Sequence, residues 1–433
     1  VLLASTQGGL QMEANERAKK LLNVDYGLGG ITQTVLESQE LGDDLHSESM
    51  ILNMGPTHPA THGTIRIVVE LVGEKIRDAE VEVGYLHRGF EKMCETVDYN
   101  QVMPYTDRLN YVSPIINNVG FCLTIEKLLG IRVPKRAEYI RVILSEMSRI
   151  SDHLTCLGAS AMELNAFSVM LYLMQAREYL WELIEEVTGA RLTISYCRVG
   201  GIKADLTPGF KEKTFEALKG VRKQIALSDK LLSRNRVFMD RVCNVGTMTA
   251  EEAISYGFTG PLLRASGVDY DVRKTYPYSS YEDFEFSVPL GTKGDNYDRF
   301  CVRLDEMEQS MKIIEQALNN LPDGPIEVDD PHITLPPKDQ VYGSIDGMIN
   351  HFELVMYGVK PPKGDVYSMV EGGNGELGFY VVSDGSGKPY KCHVRAPAFI
   401  HMGAMRKMLL GANISDLIPT FGMINMIGGE CDR

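Results

Sequence analysis

None of the eight cysteines, at 94, 122, 156, 197, 243, 301, 392 and 431, forms a C-x-x-C pair with another. That spacing argues for reduced thiols and against a disulfide framework or a sulfur-ligated metal site. Long apolar runs are also missing. The best, Phe167 to Met174, falls far short of the roughly 20 residues that a membrane-spanning helix requires. Positive charge is scarce: 44 Lys and Arg against 58 Asp and Glu give a net charge of −14, so the surface repels polyanions and nucleic acid is not an expected partner. No G-x-G-x-x-G opens a helix after a strand and no G-x-x-x-x-G-K-[ST] occurs, so neither a dinucleotide fold nor a P-loop is supported. Repeats and low-complexity tracts are absent as well. What remains is a chain of 433 residues with 44% apolar content, enough for one large core or two to three domains.

Residues 1–50 stand apart as an N-terminal extension, with a polar patch of helical character from Gln11 to Leu22 and an acidic stretch from Glu37 to Glu48. The opening Val-Leu-Leu-Ala is too short an apolar stretch for a secretory signal. From Thr64 to Tyr85 the apolar residues alternate, with a Gly73-Glu74 turn between two halves, which predicts a β-hairpin. Helical signals follow. Ser113-Pro114 reads as an N-cap and first-turn proline, with Gly130 closing the helix. Ile140, Ile143, Leu144, Met147, Ile150, Leu154 and Leu157 then recur at helical steps, and Glu163 is placed beyond that helix. Further helices are predicted at Met170 to Val187, Gly209 to Asn235 and Tyr297 to Asn319, and another from Ser344 to Tyr357. Strands return at Gly378 to Val382 and Tyr390 to Val394 across a glycine-rich turn. The expected fold is α+β: a helical-bundle core over about 113–320, flanked by the hairpin at 64–85 and a C-terminal β region over about 365–433, all in one unit spanning 51–433.

Three polar clusters carry the candidate chemistry. In the first, Asn53 to Gly63, His58 and His62 stand four apart, but Pro56, Pro59 and Gly63 predict a loop rather than a zinc-binding helix face. Two loop histidines can simply bond to backbone; placed against a rigid hairpin, a group titrating near neutrality can also donate protons. In the second cluster, Tyr105 to Tyr111, the Tyr111 hydroxyl sits at a loop-to-helix junction, either half-buried and satisfied or projecting into a cavity. Glu163, among apolar neighbours, needs a partner such as His62. The third cluster, Arg264 to Gly267 with Asp269, Asp271, Arg273 and Lys274, reads as a structural ion-pair network or an interface.

Six motifs taken together carry a resemblance: Gly55-Pro56-Thr57-His58-Pro59-Ala60-Thr61-His62-Gly63, Gly84-Tyr85-Leu86-His87-Arg88-Gly89-Phe90-Glu91-Lys92, Asp107-Arg108-Leu109-Asn110-Tyr111, Arg264-Ala265-Ser266-Gly267, Tyr380-Val381-Val382-Ser383-Asp384-Gly385 and Asp432-Arg433. In this order, from about Asn53 to the last residue, they resemble the 49-kDa (D) subunit family of respiratory complex I, the proton-pumping NADH:quinone oxidoreductase. That family is related to the large subunit of nickel–iron hydrogenases, which implies a fold of that kind. Hydrogenase chemistry itself requires two C-x-x-C pairs to hold nickel and iron, and this chain has none.

The resemblance implies a quinone-site subunit of the peripheral arm, active only within its complex. Tyr111 matches the tyrosine that bonds one quinone carbonyl, His62 the histidine at the other, and His58 its companion in the same loop. Glu163 falls where the family's aspartate pairs with that histidine, a departure of one methylene. Asn374 stands where an arginine is common, and Asn425 where an aspartate is usual. The implied substrate is quinone, with no cofactor or metal bound by this chain and a tetranuclear iron–sulfur cluster in the adjacent B subunit. The C, I and membrane-arm H subunits are the other implied partners. The implied location is the cytoplasmic face of a bacterial plasma membrane, or the matrix face of a mitochondrial inner membrane. A complex fed by ferredoxin or another donor, or a scaffold that has lost its quinone, would use the same chain.

Overall fold

The structure, a computed structural model, describes residues 49–61 and 63–433; the predicted extension up to residue 48 and His62 lie outside the described residues. The alternation read in the sequence produces β2 (Arg66–Val72) and β3 (Lys75–Glu82), joined at Gly73. An unpredicted strand, β1 (Ser49–Met54), pairs antiparallel with the other side of β2. Its run Ser-Met-Ile-Leu-Asn-Met carries no clear alternation, and it forms by completing the ladder of a strand whose other edge β3 has already taken. The inner face of the sheet, Met54, Ile67, Val69, Leu71 and Ile76, is buried against Leu262, Met405, Leu417 and Phe421.

Beyond the sheet come α1 (Phe90–Cys94), α2 (Tyr99–Thr106), α3 (Pro114–Leu129), α4 (Lys135–Glu163), α5 (Phe167–Thr188), α6 (Phe210–Leu232) and, after several short helical turns, α7 (Asn296–Asn319). α4 is the axis of the bundle. It packs against α3, α5 and α7, and its predicted stripe from Ile140 to Leu157 is buried throughout. The helix runs 29 residues, so Glu163 is its last residue rather than lying beyond it. No proline or capping glycine interrupts the chain before Leu164, so the apolar period ends before the hydrogen-bond ladder does.

A helical hairpin, α8 (Lys338–Gly343) and α9 (Ile345–Tyr357), leads to a second antiparallel sheet of β4 (Gly364–Glu371), β5 (Glu376–Ser383) and β6 (Lys391–Arg395). The predicted strands are β5 and β6. β4 adds an edge, and Val370 on it and Phe379 on β5 close onto α3 at Gly120, where a Cβ would meet Val370 at 3.0 Å. The expected C-terminal β region holds strands only to Arg395. From Pro397 onward the chain is helical, ending in α10 (Ile414–Ile424) and α11 (Gly428–Asp432), because Leu417, Phe421 and Ile424 recur at helical rather than alternating steps.

The third polar cluster is a buried ion network. Arg264 Nη2 lies 2.5 Å from Glu306 of α7, and its Nη1 lies 2.9 Å from Glu371 of β4. Arg273 pairs with Asp271 at 2.7 Å and with Glu146 of α4 at 3.1 Å. Arg149, one turn further along α4, donates to the carbonyls of Gly372 and Glu371, both at 2.7 Å. All these side chains are inaccessible to solvent. Burial raises the carboxyl of Glu306, but Arg264, His153 and Arg273 more than offset that and hold it well below the ordinary range. Replacing Arg264 with methionine leaves two buried carboxylates without their principal cation, and should lower stability by about 3–5 kcal/mol. A fall in the urea midpoint of the subunit checks it; a variant as stable as the parent would mean the network is dispensable.

Candidate functional site

The loop between β1 and β2 is pinned by Thr61, whose buried Oγ1 lies 2.8 Å from the carbonyls of both His58 and Gly63. The predicted loop conformation holds, with one turn of 3₁₀ helix at Pro59–Thr61 resting on α10. His58 is exposed, and its Nδ1 accepts a hydrogen bond from the Ala60 N–H at 3.2 Å. It is therefore bonded locally rather than to Tyr111 or Glu163. Gly63 brings the loop against Met426 and Gly428, at the α10–α11 junction.

Tyr111 lies in the turn between α2 and α3, and its neighbours explain why it is held there. Asp107 is buried, accepting from Asn118 at 2.7 Å and from the Ser195 N–H and hydroxyl at 2.9 and 2.6 Å. Asn110 Oδ1 accepts from the Val112 N–H, and its carbonyl accepts from Asn117 at 2.9 Å. Asp107 and Asn110 thus anchor the turn, leaving Tyr111 half-buried with no hydrogen-bond partner for its hydroxyl among the described residues. Burial, with the nearby Asp152, raises the phenol above its ordinary value.

Asp152, which sequence reasoning did not single out, organises this end of α4. Its Oδ2 accepts from Asn110 Nδ2 and Ser113 Oγ, both at 2.9 Å, and its Oδ1 accepts from Asn425 Nδ2 at 2.9 Å. Ser113 therefore does not serve as the predicted side-chain cap of α3: with Pro114 behind it lacking an N–H, the hydroxyl goes to the buried carboxylate. The one available sequence signal was a charged pair, Asp152-His153, inside an otherwise apolar helix stripe. His153 faces the other way, with Nε2 3.1 Å from Glu306 in the ion network. The two departures near the carboxyl end meet each other. Asn425 Nδ2 donates to Asn374 Oδ1 at 2.7 Å, and Asn374 Nδ2 donates to the Asn425 carbonyl at 2.9 Å. Asn425 has φ 60°, a left-handed position that asparagine tolerates at the end of α10.

Glu163 closes α4 beneath α10. Gly422 packs so tightly there that a Cβ would stand 2.6 Å from Glu163 Oε2 and 3.0 Å from Ser160 Oγ, which explains the glycine. Next along the chain, Glu430 of α11 is fully buried, with Oε1 accepting from the Ala398 N–H at 3.3 Å. Burial, reinforced by Asp152, pushes its carboxyl up to about 8. Three of the sequence motifs converge here. Asp432 accepts from the backbone N–H groups of Gly84 and Leu86 at 2.9 and 2.7 Å, Arg433 pairs with Glu91 at 3.2 Å, and Arg88 donates to the carbonyl of Arg108 at 2.8 Å. A cleft of about 370 Å³ opens beside them, between His87, Glu91, Lys391, Phe399 and Arg433. Among the described residues, only Asp271, Glu306 and Glu371 group in the manner of metal ligands, and the guanidiniums of Arg264 and Arg273 already fill the space between them. Tyr111 and Glu430 thus belong to a polar, largely buried cluster in which a phenol and a carboxyl are both held toward their protonated forms.

Residues 163–433 match the family model described as respiratory-chain NADH dehydrogenase, 49 Kd subunit. Over 399 residues the chain is 56% identical to a D-type subunit of NADH-quinone oxidoreductase from Sorangium cellulosum, covering 92% of this chain and 98% of that one. The D-type subunit from Myxococcus xanthus is 52% identical over 405 residues, covering 93% and 97%. Its counterpart from Pelobacter propionicus is 50% identical over 384 residues, covering 89% and 95%.

Two outcomes are expected of this geometry. At pH 7 Glu430 should show the infrared carbonyl band of a protonated carboxylic acid, absent from Glu430→Gln and fading as pH rises through about 8. Because its folded value lies above the ordinary 4.5, its contribution to stability is fully present below about pH 4.5 and lost as pH rises to about 8. Second, Asn425→Asp alone brings a second carboxylate against Asp152 and should destabilise. Adding Asn374→Arg should recover much of the loss, with a coupling energy of about 1–3 kcal/mol in a thermal-denaturation double-mutant cycle.

Proposed function

The chain belongs to the 49-kDa subunit family of the respiratory-chain NADH dehydrogenase, a subunit of the NADH-quinone oxidoreductase complex, and from that membership we propose that its Tyr111 turn and Gly55-to-Gly63 loop form the quinone headgroup site. The observation that carries this reading is the Tyr111 phenol: fixed by the anchors on either side, raised above its ordinary pKa, and with a hydroxyl that no described side chain occupies. Quinone reduction to quinol takes two electrons and two protons. Here Tyr111 binds one carbonyl oxygen and His62 the other, with His58 the second histidine of the loop. Tyr111 keeps its proton until negative charge grows on the quinone oxygen, and then gives it up, which stabilises the charge where it develops. His62 supplies the second proton, and Glu163 orients its ring and stabilises its charged form until that proton is released.

The electrons come from outside the chain, from a tetranuclear iron–sulfur cluster in the adjacent B subunit, whose contact face is the region around Arg88, Glu91 and Arg433. The C, I and membrane-arm H subunits complete the surroundings. No helix among the described residues is long and apolar enough to cross a membrane, and attachment through partners on the cytoplasmic side of a bacterial membrane fits that. Loss of protons from Tyr111 and from the His62–Glu163 pair perturbs the loop and signals to the membrane arm.

In the assembled complex, Tyr111→Phe and His62→Ala should each lower quinone reduction roughly 10²-fold, with the adjacent cluster still reduced by NADH in electron paramagnetic resonance. Near-normal quinone reduction in both variants would remove the proposed roles.

A further inference from the structure

α9 turns its apolar stripe outward. Ile345, Met348, Ile349, Phe352 and Met356 recur at steps of three and four on one face, and every one of them is exposed, as is Tyr342 of α8 at 88%. Only Gly347 and Leu354 of α9 are buried, and among the described residues the helix packs extensively only on α8. An amphipathic helix in a finished fold presents the opposite face.

We propose that this stripe is the docking surface for another polypeptide subunit of the complex, one that brings an aliphatic and aromatic face with a basic rim. The inference goes beyond the quinone-site reading and rests only on family membership. Size supports it: the six side chains expose on the order of 700 Å² of apolar surface, above the largest patch of an ordinary monomer and close to one side of a standard protein interface. Charge selects among the occupants. The polar side of α9 carries Asp346 and Glu353 and no Lys or Arg, so an anionic lipid surface is repelled rather than held. Residues 1–48 of the same chain carry eight acids and three bases, so they meet these two carboxylates with like charge. A second copy would set the same acids against each other. A partner with a basic rim pairs with both. Beside the stripe, a cleft of about 330 Å³ between Asn350 and Leu354 of α9 and Ile131, Ile333 and Val359 can seat one anchoring side chain.

The test is photo-crosslinking from p-benzoylphenylalanine placed at Phe352 in the complete, purified complex. The expected product joins this chain to another subunit present in stoichiometric amount. Crosslinks confined to residues 1–48, to a second copy or to lipid, or no crosslink in a complex of normal composition, would overturn the proposal. In parallel, Ile349→Glu with Phe352→Glu should lower recovery of the crosslinked subunit with this chain at least tenfold, and unchanged recovery would count against it. The aromatic replacement preserves the apolar face, so the crosslink reads out even where the charged variant misfolds. Neither measurement passes through quinone reduction, so the Tyr111 reading stands or falls separately.

Discussion

The fold hangs on guanidinium groups that sit where water cannot reach. Arg264, Arg273 and Arg149 tie together α4, α7, the segment 264–273 and the end of β4, four pieces of chain that hydrophobic packing alone would hold in contact without fixing their register. A buried cation is costly unless several acceptors surround it, and that requirement makes the arrangement singular: sliding α4 by one turn would leave Glu146 and Arg149 without partners. Asp152 lies one turn beyond Arg149, and Glu163 three turns beyond that. The geometry of the candidate site is therefore set by ion pairs that take no part in its chemistry.

Around Asp152 the contacts change character, from charge on charge to neutral amides and a hydroxyl. Asn110 and Ser113 come from the turn before α3 and Asn425 from the end of α10, and each is itself tied to backbone or to another amide. Asn374 and Asn425, the two expected departures from the family pattern, contact each other through a pair of amide hydrogen bonds.

Much of this was legible in the sequence, and the omissions have identifiable physical causes. The hairpin and the long helices announced themselves because burial on one face imposes a period of 2 or 3.6 over many residues. β1 and β4 did not, since each is an edge strand defined by its partner more than by its own pattern. Arg264 and Arg273 were read as a structural ion-pair network or an interface, since mixed charges around a glycine usually make one of the two, and they proved to be the network. Asp152 escaped notice because an aspartate in a helix ordinarily marks its solvent face, and its three donors lie 39 to 273 residues away. The placement of Glu163 beyond its helix failed for a related reason: a helix continues as long as its backbone bonds are satisfied, whether or not the apolar stripe does. The six-motif resemblance reached the family, and the comparisons agree with it across most of the chain.

The outward stripe on α9 also bears on how cells keep subunit numbers balanced. With the proposed docking, a copy that has not met its partner displays a helix of the kind that holdase chaperones and quality-control proteases bind, while an incorporated copy hides it. The same few side chains would then serve as a degradation signal in the orphan subunit and as mortar in the finished complex, so that surplus chains are cleared without any dedicated sensor of stoichiometry.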